Sequence, residues 1–358
     1  MTHSHSPITE MEPDAPYVLK ANHVSRLTCR PQGIIFGPDV HADERGPSTR
    51  MDNYGQTILS KLTQIMSVAN AENRIAVFPG DFMGRSRVNS DYIKSQIMKI
   101  LQMSQFRPII YPGNHDMSAD YLSEQDSLYL FQASGVAHVQ RFSGETVTVE
   151  MEDSQTGQTR IVGIGGTPYG QDIPDSATFS LADGRRADLG VWFTHHNLPF
   201  SQHYEDQTIY GFKGISGVHT VINGHLHHPS PSVRQPVERA GHFTDWHNPG
   251  SVTQTNSNER ASTPTYGIID PAGDISNLPL ILDGGESVFS AAAGRASAPN
   301  LSKTMSDEAR TRLIDGLVMT EHEQDSVGVL LDKAVSKGEL DQATRDWLEQ
   351  IAVKTMPA

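Results

Sequence analysis

The 358-residue sequence contains a single cysteine, Cys29, so no disulfide can form within the chain. This cysteine usage suits the reducing conditions of a cytoplasm, and we expect a cytoplasmic location. No apolar run approaches the roughly 18 consecutive residues that a membrane-spanning helix needs, and we expect no membrane contact. The polar residues 1–16 also lack the apolar core of a secretory signal peptide.

Basic residues are scarce as well. The 28 lysines and arginines face 42 acidic residues, which gives a formal net charge of −14. A chain with this balance is not a general polyanion binder. Any contact with nucleic acid must therefore rest on a local basic patch or on bound metal ions. Histidine, by contrast, is abundant: the chain has 16.

The first part of the chain alternates short apolar runs with stretches of helical periodicity. The predicted strands are 33–36, 74–78 and 108–110, and the predicted helices lie within 50–70 and 93–101. Strands that alternate with helices are typical of an α/β fold with a parallel sheet. A further helix is predicted over 121–134.

The pattern changes after Gly135, where strands dominate. The predicted strands cover 136–139, 145–151, 160–164, 191–194, 218–222, 266–269 and 278–282. Two strand-rich halves predict two sheets packed face to face, with helices outside. We assign residues 31–282 to this domain.

The two ends of the chain differ in composition from this domain. Residues 1–30 show no periodicity and are interpreted as an N-terminal arm. Residues 283–302 are rich in glycine, alanine and serine, which predicts a linker. Three apolar stripes at helical spacing predict a helical tail over 303–358.

Side chains of the kind that bind metal ions follow five of the predicted strands. In chain order they are Asp39 and His41, Asp81, Asn114 and His115, His195 or His196, and His225 and His227. Each cluster alone is a weak signal, because polar loops and turns often contain the same residue types. Five of them at strand ends are hard to produce by accident, since the carboxyl ends of parallel strands meet at one edge of a sheet.

The residue types of these clusters are chemically coherent. Positions two apart share a face of extended backbone, so Asp39 and His41 are expected to converge on one point. Oxygen and imidazole ligands suit Mn²⁺, Fe²⁺ or Zn²⁺, and we expect manganese first. The absence of thiolate ligands argues against a structural zinc site.

Taken in order, the clusters form the series DxH, GD, GNH[DE], a lone histidine after a strand, and GHxH. This series resembles the signature of the calcineurin-like metallophosphoesterase superfamily, and within it the SbcD-type DNA repair exonucleases and their phage relatives. The resemblance spans about residues 33–227. It implies a four-layer αββα sandwich and a location in the cytoplasm. For a phage-encoded relative, that cytoplasm is the host's.

The resemblance also implies a role for each matching residue. Asp39, His41 and His227 would hold one divalent ion, Asn114, His195 and His225 the other, and Asp81 would bridge the two. A hydroxide held by the metals would attack phosphorus in line. His115 would face the scissile phosphate without binding metal, and Asp116 would orient the His115 ring. His195 is chosen over His196 because the family ligand follows a strand-end threonine.

The sequence departs from the family at one position. The third residue after Asp81 is Gly84, where relatives often carry a charged side chain, and Arg85 follows it. Arg85, Arg50 and Arg87 could face phosphate or simply lie on a solvated surface.

Two functions remain open on these grounds. The first is a DNA exo- or endonuclease of repair or recombination, which in SbcD-type enzymes works as a dimer. Those enzymes bind an SMC-like coiled-coil ATPase through C-terminal helices, and residues 303–358 have the corresponding place. The second is a small-molecule phosphodiesterase or a phosphoprotein phosphatase with the same two-metal site, which the acidic composition favours slightly. An inactive binding module is disfavoured because no ligand position is missing.

Overall fold

The computed structural model describes residues 30–48, 50–201, 203–238, 241–256, 259–260, 262–280 and 288–289. The predicted arm lies outside them except for Arg30, and so does the linker except for residues 288–289. The predicted helical tail, 303–358, lies outside them altogether.

The described chain contains three helices and twelve strands. The helices are Tyr54–Ala71 (α1), Asp91–Gln102 (α2) and Tyr129–Ala133 (α3). The strands are Ile34–Phe36 (β1), Ile75–Pro79 (β2), Ile109–Tyr111 (β3), His138–Val139 (β4), Thr146–Glu152 (β5), Thr159–Thr167 (β6), Leu189–Thr194 (β7), Thr220–Asn223 (β8), Ser230–Pro236 (β9), Phe243–Asn248 (β10), Thr265–Ile269 (β11) and Ile275–Pro279 (β12).

The first sheet has the order β12-β11-β1-β2-β3-β4. Strands β1 to β4 are parallel, and β11 and β12 add an antiparallel edge beside β1. Helices α1 and α2 connect β1, β2 and β3. The side chains of Asn53 and Ser90 accept backbone amides in their first turns, at Gln56 and Ile93, which stops each helix from fraying at its start.

The second sheet has the order β5-β6-β7-β8-β10-β9, and its four central strands, β6, β7, β8 and β10, are parallel. The sequence did not predict β9 or β10, because β9 is an exposed edge strand and β10 alternates polar with buried residues. The prediction that β11 and β12 complete the second set of strands was wrong. Both pair in the first sheet.

The two sheets pack face to face, as predicted. Ile34 and Phe36 of β1 point toward the second sheet, where the Phe36 and Phe193 rings lie 6.2 Å apart. Ile35 points the other way and packs with the buried faces of α1 and α2, including Ile58 and Ile97. This alternation follows from the two-residue period of a strand, which buries both faces of the first sheet.

The outer face of the second sheet differs from the expected αββα sandwich. Loop residues rather than helices cover Trp192, Val221 and Trp246 there, and among the described residues no helix packs on this face. The covering side chains come from the segments between β6 and β8: Ile173, Phe179, Leu198, Phe200 and Ile215. The described fold is therefore a mixed α/β structure with two sheets and helices on one side.

The predicted helix over 121–134 is much shorter in the structure. Only Tyr129–Ala133 is helical. The Asp126 carboxylate accepts the backbone amide and the hydroxyl of Ser123, and such local bonds compete with helix formation. Across the described ranges, we find no helix with the length and apolarity needed to cross a bilayer.

Candidate metal centre

The loops after β1, β2, β3, β7 and β8 meet at one place. In the described chain six non-glycine residues have positive φ, and four of them lie here: Asp39, His41, Asp81 and His225. The expectation of extended backbone at Asp39 and His41 was therefore wrong, because both residues are left-handed, with φ of 54° and 47°. Such conformations cost free energy and concentrate at functional sites.

Asp39, His41 and His227 form the first group. The Nε2 atoms of His41 and His227 lie 3.0 Å apart, and Nε2 of His227 is 3.8 Å from Oδ1 of Asp39. Together their ligand atoms could hold one metal ion. All three side chains are largely buried. The structure thus brings together residues that are 186 positions apart in the chain.

Asn114, His195 and His225 form the second group. Oδ1 of Asn114 lies 3.2 Å from Nε2 of His195 and 3.1 Å from Nδ1 of His225. The amide oxygen and the two ring nitrogens therefore point at a common space. This grouping is the set that the resemblance implies for a second ion.

Asp81 stands between the two groups. Its Oδ2 lies 3.2 Å from Nε2 of His195 and 3.6 Å from Nε2 of His41. Its Oδ1 accepts the backbone amide of His115 at 2.8 Å, which fixes the carboxylate. One oxygen that faces ligands of both groups is what a bridging carboxylate needs.

Three ring nitrogens that face away from the centre have oxygen partners. Nδ1 of His195 donates to the Pro79 carbonyl at 2.9 Å, and Nε2 of His225 donates to Oε1 of Gln207 at 2.8 Å. Nδ1 of His227 donates to Oε1 of Glu259 at 3.0 Å. Such bonds fix the tautomer and leave the inward nitrogen free to bind a metal.

Sequence reasoning missed Gln207 and Glu259. Both lie in loops without periodicity, and neither is near a ligand in the sequence. Glu259 is buried and also accepts the amide of Thr255 at 2.8 Å, so it ties the loop after β10 to His227. A polar residue in an irregular segment carries no local signal for such a contact.

The electrostatics beside Asp81 favour a positively charged partner. Burial alone would lower the pKa of His195, but the carboxylates of Asp81 and Asp39 raise it to about 9. Burial would raise the pKa of Asp81, yet the His195 and His41 rings hold it well below its ordinary value. The donor set of two carboxylates, an amide oxygen and four imidazoles fits divalent ions such as Mn²⁺, Fe²⁺ or Zn²⁺.

Two glycines of the motifs are required by close packing. A Cβ at Gly80 would lie 2.1 Å from Nδ1 of His195, and Gly80 also has a φ of +91°. A Cβ at Gly113 would lie 2.2 Å from the backbone nitrogen and from Oδ1 of Asp81. The GD and GNH motifs therefore contain glycine because the ligands come this close to the backbone.

His115 lies exposed at the edge of the centre. Its Nδ1 is 3.2 Å from the Gly84 carbonyl, and its ring centroid is 4.9 Å from that of His41. Asp116, expected to orient this ring, is instead bonded to the backbone. Its carboxylate accepts the amides of Phe82, Met83 and Gly113 at 3.1, 2.7 and 2.8 Å. The orienting contact to His115 comes from Gly84.

His196 and the three arginines have other partners. The His196 ring bonds to the Thr194 hydroxyl and to the Gln171 carbonyl, away from Asp81. Arg50 is buried and bonds to Asp52 through two nitrogens, and Arg87 pairs with Asp126. Arg85 pairs with Asp43 at 2.8 Å and lines the cleft in front of the centre.

The cleft has a volume of about 480 Å³. Its lining includes the buried Asp81 and His225 together with Asn114, and His115, Arg45, Arg85, Tyr204 and Asn256 are among the other lining residues. Ligand atoms that line an accessible cleft can reach a substrate, unlike those of a closed structural site.

Comparison with known proteins places these residues in a family context. Residues 34–229, more than half of the chain, match the family model described as calcineurin-like phosphoesterase. None of the curated proteins is significantly similar in sequence. Among solved structures, a 5'-nucleotidase precursor from Thermus thermophilus is similar, with 13% identity and a TM-score of 0.38 over 70% of this chain. The chain spans about half, 54%, of that protein, and so weak a likeness has no bearing on function.

Proposed function

The chain belongs to the calcineurin-like phosphoesterase family, and we propose that it is a two-metal phosphodiesterase that cleaves DNA. Phosphoester hydrolysis is the family's chemistry, and the candidate ligand clusters fit its dinuclear divalent-metal site. The observation that carries the proposal is the position of Asp81. Its carboxylate faces His41 on one side and His195 on the other, and Asp81 lines an accessible cleft.

The metal ligands in this proposal fall into the two groups described. Asp39, His41 and His227 would hold one ion, Asn114, His195 and His225 would hold the other, and Asp81 would contribute to both. When bound, the ions supply positive charge that polarises the phosphate and activates water near neutral pH. The residues behind the ligands keep the imidazoles oriented with one nitrogen toward the ion, because Pro79, Gln207 and Glu259 accept their outer N–H groups.

His115 acts on the leaving group in this proposal. Its Nδ1–H donates to the Gly84 carbonyl, so the protonated ring carries its second proton on Nε2. The ring is exposed and lines the cleft, where Nε2 can give that proton to the leaving oxygen. Asp116 keeps the two loops together through three backbone amides and acts as a positioning residue.

The choice of DNA is supported by the order of motifs, which resembles that of SbcD-type exonucleases. Two cationic side chains, Arg45 and Arg85, line the cleft and offer contacts for phosphate, although Arg85 is paired with Asp43 and the chain has a net charge of −14. Association with an SMC-like ATPase through residues 303–358, and a homodimer, are proposed on the same resemblance. We propose manganese as the metal. We also propose the cytoplasm as the location, which is the host's if the chain is encoded by a phage.

A second candidate function is hydrolysis of a small phosphodiester or of a phosphoprotein. The cleft volume of about 480 Å³ favours it, because cavities of this size are typical of sites for small ligands. Both candidates use the same metal ligands and the same His115. They differ only in what the outer parts of the cleft bind.

The test is hydrolysis by the full chain loaded with Mn²⁺. We expect cleavage of linear and hairpin DNA as well as of bis-p-nitrophenyl phosphate. An Asp81→Asn variant, which loses the bridging charge, serves as the inactive control. Cleavage of bis-p-nitrophenyl phosphate without any cleavage of DNA would overturn the nuclease and favour the second candidate. If the Asp81→Asn variant keeps both activities, the proposed metal centre is wrong.

A further inference from the structure

A second cavity opens on the other side of Asn114. It has a volume of about 450 Å³, and Asn114 lines both this cavity and the cleft at the metal centre. Tyr169 forms part of its wall, and the Tyr169 ring lies 5.5 Å from that of His225 and 6.2 Å from that of His195. The cavity therefore adjoins the metal centre, with Asn114 as a wall shared with the cleft.

Two exposed aromatic rings stand beside this cavity. Tyr121, which lines it, is 55% exposed, and Phe142 is 46% exposed. Their centroids are 6.0 Å apart, and the Arg141 guanidinium lies 5.3 Å from the Phe142 ring. We call Tyr121, Phe142 and Arg141 the aromatic platform. A paired exposure of large rings beside a site is typical of a binding surface.

The platform is held in place by the cavity wall. The side-chain amide of Gln171 donates to the Arg141 carbonyl at 2.9 Å and accepts the Ser143 amide at 2.7 Å, so it fixes the backbone on both sides of Phe142. The backbone carbonyl of Gln171 in turn accepts a hydrogen bond from Nε2 of His196 at 2.9 Å. The Phe142 backbone is thus connected to the strand end that carries His195.

The chemistry of this surface points to bases and not to phosphate alone. Flat rings stack on any nucleobase, and a guanidinium over a ring adds charge for the neighbouring phosphate. Asp120 lines the cavity, where a carboxylate repels phosphate and accepts the amino groups of bases. A duplex keeps its bases stacked on each other, so only an unpaired strand can place bases on Tyr121 and Phe142.

We propose that the second cavity and the aromatic platform bind an unpaired nucleic-acid strand that continues from the scissile phosphate past Asn114. The nucleotide next to the cut enters the cavity against Tyr169, and the following base stacks on Tyr121 and Phe142. The inference rests on the proposed phosphodiesterase function and names the form of its substrate. A small phosphodiester such as bis-p-nitrophenyl phosphate does not reach the platform.

The test uses the full-length double variant Tyr121→Ala/Phe142→Ala. Its matched control is Tyr92→Ala/Phe243→Ala, because Tyr92 is 53% exposed and Phe243 is 51% exposed. Phe243 also lies 5.4 Å from the Arg234 guanidinium, as Phe142 does from its arginine. The control thus removes the same ring types at the same exposure, on α2 and at the start of β10.

Two measurements separate the platform from the catalytic site. The first is binding of a fluorescent single-stranded oligonucleotide in EDTA, followed by anisotropy. We expect the platform variant to bind at least about tenfold more weakly than the wild type and the control. The second is the ratio of kcat/KM on that oligonucleotide to kcat/KM on bis-p-nitrophenyl phosphate, with Mn²⁺. We expect this ratio to fall by a similar factor in the platform variant only.

The proposal is overturned if the platform variant binds the single strand as the wild type does. It is also overturned if the platform variant loses as much affinity for a blunt duplex of the same sequence as for the single strand. Equal loss of single-strand affinity in the control variant would overturn it too. Binding that depends on the platform, without DNA cleavage by the wild type, would overturn the nuclease function and leave the strand-binding surface intact.

Discussion

The Asp39 carboxylate accepts the backbone amide of His225 with both of its oxygens, at 2.9 and 3.1 Å. Asp39 follows a strand of the first sheet and His225 follows a strand of the second. One buried side chain therefore joins the two sheets at the same point where it faces the candidate metal centre. We therefore expect folding and metal binding to be coupled through this contact.

The first prediction concerns Asp39. Asp39→Asn keeps an oxygen that accepts the His225 amide, whereas Asp39→Ala leaves that buried amide unpaired at a cost of about 1–3 kcal/mol. We expect Asp39→Ala to lower Tm in EDTA more than Asp39→Asn does. Addition of Mn²⁺ should raise the Tm of the wild type and raise that of both variants far less. Equal Tm values for the two variants in EDTA would contradict the role of Asp39 in joining the two sheets.

The second prediction concerns Glu259, which orients His227. Glu259→Ala removes the acceptor for Nδ1, and we expect the affinity for Mn²⁺ to fall about 10–100-fold in a calorimetric titration. Glu259→Gln retains an acceptor oxygen and should recover much of the affinity. Glu238→Ala, at an exposed position, is the control. Wild-type affinity in Glu259→Ala would show that His227 needs no such partner.

The third prediction separates catalysis from metal binding at His115. His115→Ala should lower kcat on linear DNA by about 10²–10⁴-fold, because the proton donor for the alkoxide leaving group is lost, and it should lower kcat on bis-p-nitrophenyl phosphate far less, because p-nitrophenolate leaves without a proton. Its affinity for Mn²⁺ should match that of the wild type. The exposed His203 provides the control variant His203→Ala. If His115→Ala folds but no longer binds Mn²⁺, then His115 is a ligand and our assignment fails.

The fourth prediction concerns the structural role of Asp116. Asp116→Ala leaves three backbone amides without their acceptor, and we expect the free energy of unfolding to fall by about 3 kcal/mol or more. Urea denaturation in EDTA measures this loss without any contribution from metal. Asp120→Ala, four positions along on the surface, should change it little. A wild-type midpoint for Asp116→Ala would show that the amides find other partners.

The fifth prediction concerns pH and His138, which is remote from the metal ligands in the sequence. Burial, with a smaller effect of Arg107, lowers the pKa of His138 from 6.5 to about 4. The unfolded chain takes up this proton below pH 6.5, whereas the folded chain resists it until about pH 4. The stability contribution of the neutral ring is thus full above pH 6.5 and is lost as the pH falls from 6.5 toward 4.

Between these two pH values the loss amounts to on the order of 3 kcal/mol. We expect His138→Gln, which does not titrate, to remove this part of the acid sensitivity. The measurement is the free energy of unfolding from urea denaturation at pH 7 and pH 4.5. If the free energy of unfolding falls by the same amount from pH 7 to pH 4.5 in the wild type and in the variant, the prediction is wrong.

The elements around the site were predictable for a local reason. Strands β1, β2 and β3 are short apolar runs, and α1 and α2 have regular apolar stripes, so each element has its own signal. The ligand-type residues follow the strands directly, at the sheet edge where the strand ends meet. Their order in the chain also points to the family that the comparisons support.

Other features had no local signal. Strand β9 pairs with β10 although it is polar and exposed, since pairing depends on its partner. The helix predicted over 121–134 is mostly absent because the bonds that Ser123 donates to the Asp126 carboxylate compete with it. The outer face of the second sheet is covered by loops that the apolar pattern did not distinguish from helices.

The sequence by itself determined which residues could bind metal and in which order they occur, because Asp, Asn and His at strand ends carry that chemistry wherever they lie. Only the tertiary structure decided which atoms face each other. Asp116 holds backbone amides and not the His115 ring, Glu259 orients His227, and Asn114 stands between two cavities. The contacts of Asp116 with Met83 and of Glu259 with His227 join residues 33 and 32 positions apart, and they form because neighbouring strands of one sheet bring their loops side by side.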